Sequence, residues 1–209
     1  MTNDFGIMGL FPSPVYITGR DSNLDLTEEK EIEDIIKEGV RKIGDLDHYT
    51  DNTHIFDTKL KNLKEFCERH IKVCAKKILN PKGELDFYIT QSWLNITKPG
   101  EWHHQHSHQN SIISGVFYIS TEEDDKITFS DPNSRVKELI KFERKEFNLW
   151  NSTSWFFPSV TNELMLFPSW LDHQVVVNEK ATTDRISLSF NTFVRGKLGG
   201  RNGLNQLIL

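Results

Sequence analysis

The densest chemistry in the chain lies in Trp102-His103-His104-Gln105-His106-Ser107-His108, which gathers four of its eight histidines. In an extended strand residues i and i+2 point to the same side, so His106 and His108 can converge on one atom. Imidazole is the commonest metal ligand, and a His-x-His pair offers two adjacent vertices of a coordination sphere. His104 shares that side, so spacing alone does not choose 104/106 over 106/108. A solvent-exposed cluster with adventitious metal affinity is the plainer reading of the same residues.

A third ligand has to arrive from elsewhere. The segment Leu164 to Val177 reads as a buried strand, a turn at Pro168, then His173 opening the next strand. His173 is either a satisfied edge histidine or the third vertex of a facial arrangement that leaves metal positions open. Further on, Arg185-Ile186-Ser187-Leu188-Ser189-Phe190-Asn191 alternates, with Ile186, Leu188 and Phe190 on one face and Arg185, Ser187, Ser189 and Asn191 on the other. If the apolar set packs against helices, the polar set lines an interior. An arginine buried there needs an anion, and that face carries no acidic residue. A small-molecule carboxylate would serve, forked by the guanidinium and assisted by a serine hydroxyl. An outward arginine on an edge strand is the alternative.

The elements that must position these residues are mostly strands. Runs rich in β-branched and aromatic residues span 86–96, 115–120, 126–130, 146–150, 163–167, 174–177 and 185–194, separated by turn chemistry such as Lys98-Pro99-Gly100 and Asp131-Pro132-Asn133. Such spacing predicts a sandwich or small barrel. Two helices precede them. Thr27 caps the first, whose apolar stripe is Ile32, Ile35, Ile36, Val40 and Ile43; the second carries Leu60, Leu63, Cys67, Ile71, Cys74 and Ile78 and stops at Asn80-Pro81. The charged stretch from Arg135 to Glu146 reads as a solvated insertion. The predicted architecture is mainly β with flanking α-helices.

Composition narrows the function. At 209 residues the chain fits one domain, 1–209, with an opening strand and two supporting helices over 1–84, a β-core over 85–195 and a tail over 196–209. A formal net charge of −5 and the lack of a long basic run argue against a nucleic-acid partner. No apolar run approaches the roughly 18 residues that span a bilayer, so no membrane is expected. Met1 to Pro14 lacks a basic-then-apolar leader. Cys67 and Cys74 sit on one helix with Cα atoms roughly 10 Å apart, too far to bridge. Unpaired cysteines fit a reducing compartment, which makes the expected location cytoplasmic and the sequons at Asn95 and Asn151 chance matches.

Taken in order, Leu10 to Val15, Ser92 to Asn95, Gly100 to His108, Ser114 to Tyr118, Leu166 to His173 and Arg185 to Asn191 resemble the iron(II)- and 2-oxoglutarate-dependent oxygenases of prolyl-hydroxylase-like type. That resemblance implies a double-stranded β-helix, the jelly-roll or cupin-like core. It implies Fe(II) on His106, His108 and His173, with Arg185 pairing the distal carboxylate of 2-oxoglutarate. Tyr118 and Ser187 would support that carboxylate, and Asn95 the keto-acid end. The implied reaction consumes 2-oxoglutarate and O2, with ascorbate as an optional reductant, and oxidises a C–H bond with release of succinate and CO2. Its substrate would be a small molecule or a protein side chain, and a homodimer is left open. The sequence departs from the family at His108, where most members carry Asp or Glu and halogenating ones a small residue; hydroxylation is therefore implied over halogenation. Gly100 followed by His106-x-His108 also resembles a cupin motif, but the positions of the cupin glutamate ligand hold Ile112 and Ile113. An idle binding module on the same fold is the third reading.

Overall fold

The computed structural model describes residues 6–43, 47–134, 139 and 143–209. The chain enters through strand β1 (Tyr16–Gly19) and turns into helix α1 (Leu26–Glu38). The helix begins where Asp25 accepts hydrogen bonds from the N–H groups of Thr27 and Glu28, both at 2.9 Å, while the Glu28 carboxylate returns to the Asp25 N–H at 3.0 Å. This reciprocal capping box makes Asp25, rather than the expected Thr27, the cap. The helix stops one turn earlier than its apolar period suggests. Gly39 takes φ 155°, and a Cβ there would run into the Asp51 carboxylate. Val40 and Ile43 consequently belong to β2 (Val40–Ile43), which pairs with β3 (Asp47–Thr50).

Helix α2 (Lys61–Cys74) continues into a π-helical turn, Ala75–Leu79, and ends at Asn80 in the left-handed region. Its buried residues, Leu63, Phe66, Cys67, Ile71 and Cys74, recur at three- and four-residue spacing. Both cysteines are free.

The core follows in eight strands: β4 (Asp86–Thr97), β5 (His103–His106), β6 (Ile113–Ser120), β7 (Lys126–Ser130), β8 (Ser154–Pro158), β9 (Glu163–Pro168), β10 (His173–Val175) and β11 (Arg185–Arg195). Strands β12 (Lys197–Leu198) and β13 (Leu207–Ile208) form a small terminal hairpin, so part of the expected tail is ordered pairing. The larger sheet runs β1-β9-β6-β11-β4-β3-β2 and the smaller one β5-β10-β7-β8. All these pairings are antiparallel. The core chain passes back and forth between two facing sheets, which is a double-stranded β-helix. Among the described residues no helix is long and apolar enough to cross a membrane.

Two elements differ from the sequence expectation. Residues 146–150 form a turn, because the Asn148 side chain accepts the N–H groups of Trp150 and Asn151 and the Asn151 side chain accepts that of Asn148. Ser154–Pro158, outside the expected strand runs, is the outer strand of the smaller sheet, paired with β7. The opening strand also lies at Tyr16–Gly19, just beyond Leu10 to Val15. Most of the charged insertion from Arg135 to Glu146 lies outside the described residues.

The larger sheet buries both of its faces. On one, Leu94, Phe117, Leu188 and Phe190 pack with Leu63, Phe66 and Ile71 of α2. On the other, Val116, Tyr118, Met165 and Phe167 meet Ile127 and Phe129 of the smaller sheet. The alternation read from β11 is therefore realised, with Leu188 and Phe190 toward the helices. Gly115 pairs with Phe190 across β6 and β11, and a Cβ at Gly115 would overlap the Phe190 ring. We predict that Gly115→Ala destabilises the fold by about 1–3 kcal/mol through overpacking, read as a lowered urea midpoint at unchanged slope.

Candidate metal centre

Strand pairing brings the histidines together. His173 opens β10 directly opposite His106 at the end of β5, and their ring centroids are 4.4 Å apart. His108 lies just past β5, where its N–H donates to the Ser169 carbonyl at 2.8 Å. The potential ligand atoms of His106, His108 and His173 all lie within 4.8 Å of one another, with His108 Nε2 and His173 Nε2 3.4 Å apart.

Backbone carbonyls set the tautomers. His106 Nδ1 lies 2.8 Å from the His104 carbonyl and His173 Nδ1 lies 3.0 Å from the Leu171 carbonyl. A carbonyl only accepts, so each Nδ1 carries the proton and each Nε2 keeps its lone pair for a metal. His104 contributes this carbonyl, and its own ring is exposed outside the three-nitrogen group. Burial, followed by the neighbouring His106, pushes His173 down to about 3. Burial, followed by His106 and His103, holds His108 down at about 4. Both rings are neutral at ordinary pH, the state a ligand requires.

These nitrogens face a cavity of about 340 Å³ between the sheets. Arg185, Ser187 and Ser189 of β11 line its wall, with Tyr118 of β6 and Asn95 of β4. Arg185 is only 8% exposed. Its Nη2 donates to Thr97 Oγ1 at 3.0 Å, while its buried Nε has no hydrogen-bond partner among the described residues. Leaving a buried charged donor unmatched is costly, and an anion in the cavity would remove that cost. Tyr118 is buried, and its burial raises the phenol above its ordinary value, so the hydroxyl remains a donor. Ser187 sits between Tyr118 and Asn95 in the strand register.

Asn95 is held in place within the cavity wall. Its Nδ2 donates to Ser189 Oγ at 2.8 Å and its Oδ1 accepts from Trp93 Nε1 at 3.0 Å, so both ends of the amide brace the cavity wall. Trp93 also lines the cavity, whereas Trp102 and the 151–160 segment do not. Tyr49, Thr53, Gln91, His103 and His104 line it instead.

Four supporting residues escape a sequence reading. Thr97 is the cross-strand partner of Arg185. Ser114 Oγ donates to Ser169 Oγ at 2.8 Å, and Ser169 Oγ to Ser111 Oγ at 2.7 Å, bracing the residue whose carbonyl holds His108. Only knowledge of strand register would have exposed them.

The donor set and the unmatched guanidinium fit a divalent metal and a carboxylate cosubstrate. Comparison with known proteins agrees. A family model described as a putative 2OG-Fe(II) oxygenase matches residues 91–191. No curated protein matches the sequence. The fold is similar to that of a prolyl-4-hydroxylase from Pseudomonas putida, at 14% identity and a TM-score of 0.58, covering 88% of this chain and 94% of that one. It is similar to SnoK, a non-heme alpha ketoglutarate dependent carbocyclase from nogalamycin biosynthesis, at 12% identity and a TM-score of 0.60, over 92% and 85% of the two chains. HygX from Streptomyces hygroscopicus, solved with nickel, 2-oxoglutarate and hygromycin B, aligns at 8% identity with a TM-score of 0.54, over 86% and 82%. At these identities the likeness is one of fold. We predict that His173→Ala weakens divalent-metal retention by more than about a hundredfold, since losing a direct ligand exceeds the 10- to 100-fold cost of losing a supporting one. His104→Ala should retain the metal; metal content after gel filtration distinguishes the two outcomes.

Proposed function

We propose that this chain is a 2OG-Fe(II) oxygenase, a hydroxylase-type dioxygenase acting on a C–H bond of a small molecule or protein side chain, as the family model over residues 91–191 supports. One observation carries the reading. Three imidazole nitrogens and a buried guanidinium whose Nε has no hydrogen-bond partner among the described residues share the same cavity.

His106, His108 and His173 would hold Fe(II) through Nε2, kept in that orientation by the His104 and Leu171 carbonyls and by the Ser169 contact. When bound, the metal with 2-oxoglutarate and O2 supplies the oxidising power, and succinate and CO2 leave. The protein's residues orient and shield. Arg185 receives the distal carboxylate of the keto acid, with Thr97 fixing the opposite side of the guanidinium. The Tyr118 hydroxyl donates to the same carboxylate, and Ser187, adjacent in the register, adds a second hydroxyl. Val116, Ile127 and Phe167 give the cavity apolar surface that limits water around the reacting carbon.

Anaerobic addition of Fe(II) and 2-oxoglutarate is expected to produce the weak visible charge-transfer band of a chelated keto acid. Absence of the band at saturation would contradict the assignment. Arg185→Ala should weaken 2-oxoglutarate binding by about 2–5 kcal/mol while sparing the metal, the cost of truncating one partner of a buried charged pair. Equal loss of both ligands would make Arg185 a folding residue. Succinate release against a panel of metabolites and peptides then reports the substrate, and an idle binding module would release none above background.

A further inference from the structure

We infer that the loaded centre is cationic and selects an anionic prime substrate, one bearing a carboxylate or phosphate near the carbon to be oxidised. The inference rests on the function just proposed and deepens it. Its basis is the charge of the cavity. All three candidate ligands are imidazoles, so no ligand carboxylate offsets a divalent metal. Among the described residues lining the cavity, Arg185 is the one formally charged side chain, and no aspartate or glutamate joins it. A divalent ion and one guanidinium, less the two charges of 2-oxoglutarate, leave one net positive charge.

The surrounding acidic groups are engaged elsewhere. Asp125 lines the small space on the other side of Arg185; its oxygens accept from Asn178 Nδ2 at 3.1 Å and the Glu122 N–H at 2.9 Å. Among the described residues no ion pair joins it to Arg185. Asp172, beside His173 in sequence, accepts from Gln105 Nε2 at 3.2 Å, and Glu101 pairs with His48 at 3.1 Å. Neither lines the cavity. Tyr49, Thr53, Gln91, His103 and His104 line the cavity with hydrogen-bonding groups that can meet an oxyanion without bringing a carboxylate. An ammonium-bearing substrate would find no counter-charge among the described lining residues. One unbalanced charge acting over about 5 Å at the edge of a protein favours an anion roughly tenfold or more.

Cobalt(II)-loaded protein with 2-oxoglutarate provides the test, with azide as the anionic probe and imidazole as the neutral one, both followed by the visible cobalt spectrum. Azide should bind saturably to the natural protein. His108→Asp, which adds one negative charge at a ligand position, should weaken azide at least about tenfold and leave imidazole nearly unchanged. Gln91→Glu, an isosteric change at an exposed lining residue, should weaken azide by about threefold and decides the matter if the first variant does not fold. Acetate or inorganic phosphate should displace azide where acetamide does not, and whichever competes better identifies the headgroup. Absence of azide binding overturns the inference, as does equal weakening of both probes or equal competition by acetamide. Failure to retain cobalt or 2-oxoglutarate at the loading step would instead overturn the proposed function itself.

Discussion

The centre depends on β5 and β10 lying side by side in the smaller sheet. That single pairing places His106 opposite His173 and leaves His108 just beyond the strand, where the Ser169 carbonyl can hold it. Without it the three rings have no reason to meet, because two come from one segment and the third from 65 positions downstream. Neither strand is apolar enough to be fixed by its own burial. The pairing is imposed by the rest of the jelly roll, chiefly the long β4–β11–β6 contact and the two-sided burial of the larger sheet.

The two faces of β11 divide the labour of the fold. Leu188 and Phe190 are fully buried in the helix-side core, so α2 stabilises the strand from behind. Arg185, Ser187 and Ser189 point the other way, into a cavity that no hydrophobic filling closes. Among the described residues the Arg185 Nε in that cavity has no hydrogen-bond partner, a cost that a packed core would not carry. The helix-side core offsets that cost, and ligand binding relieves it. Binding energy and folding stability are thus coupled at Arg185.

Much of this was legible in the sequence because it depends on period and type. The two-residue alternation of β11 showed which side chains share a face, and the i, i+2 spacing allowed His106 to converge with either His104 or His108. The helix-two stripe and its stop at Asn80-Pro81 were equally plain. What escaped depends on register or on single contacts. Thr97 behind Arg185, and the Ser114–Ser169–Ser111 chain behind His108, are invisible until strands are paired. The end of α1 was misjudged because Val40 continues the helical period, whereas the close approach of Asp51 to Gly39 decides the chain's path. The contacts of Asn95 with Trp93 and Ser189 are likewise of this kind.

A crystal structure of the protein grown anaerobically with manganese(II) and 2-oxoglutarate tests the central claim most directly. The account predicts one metal ion on the Nε2 atoms of His106, His108 and His173, with the distal carboxylate of the keto acid on Arg185 and its Nε newly paired. A metal held by His103 or His104, or a keto acid bound away from Arg185, would contradict it.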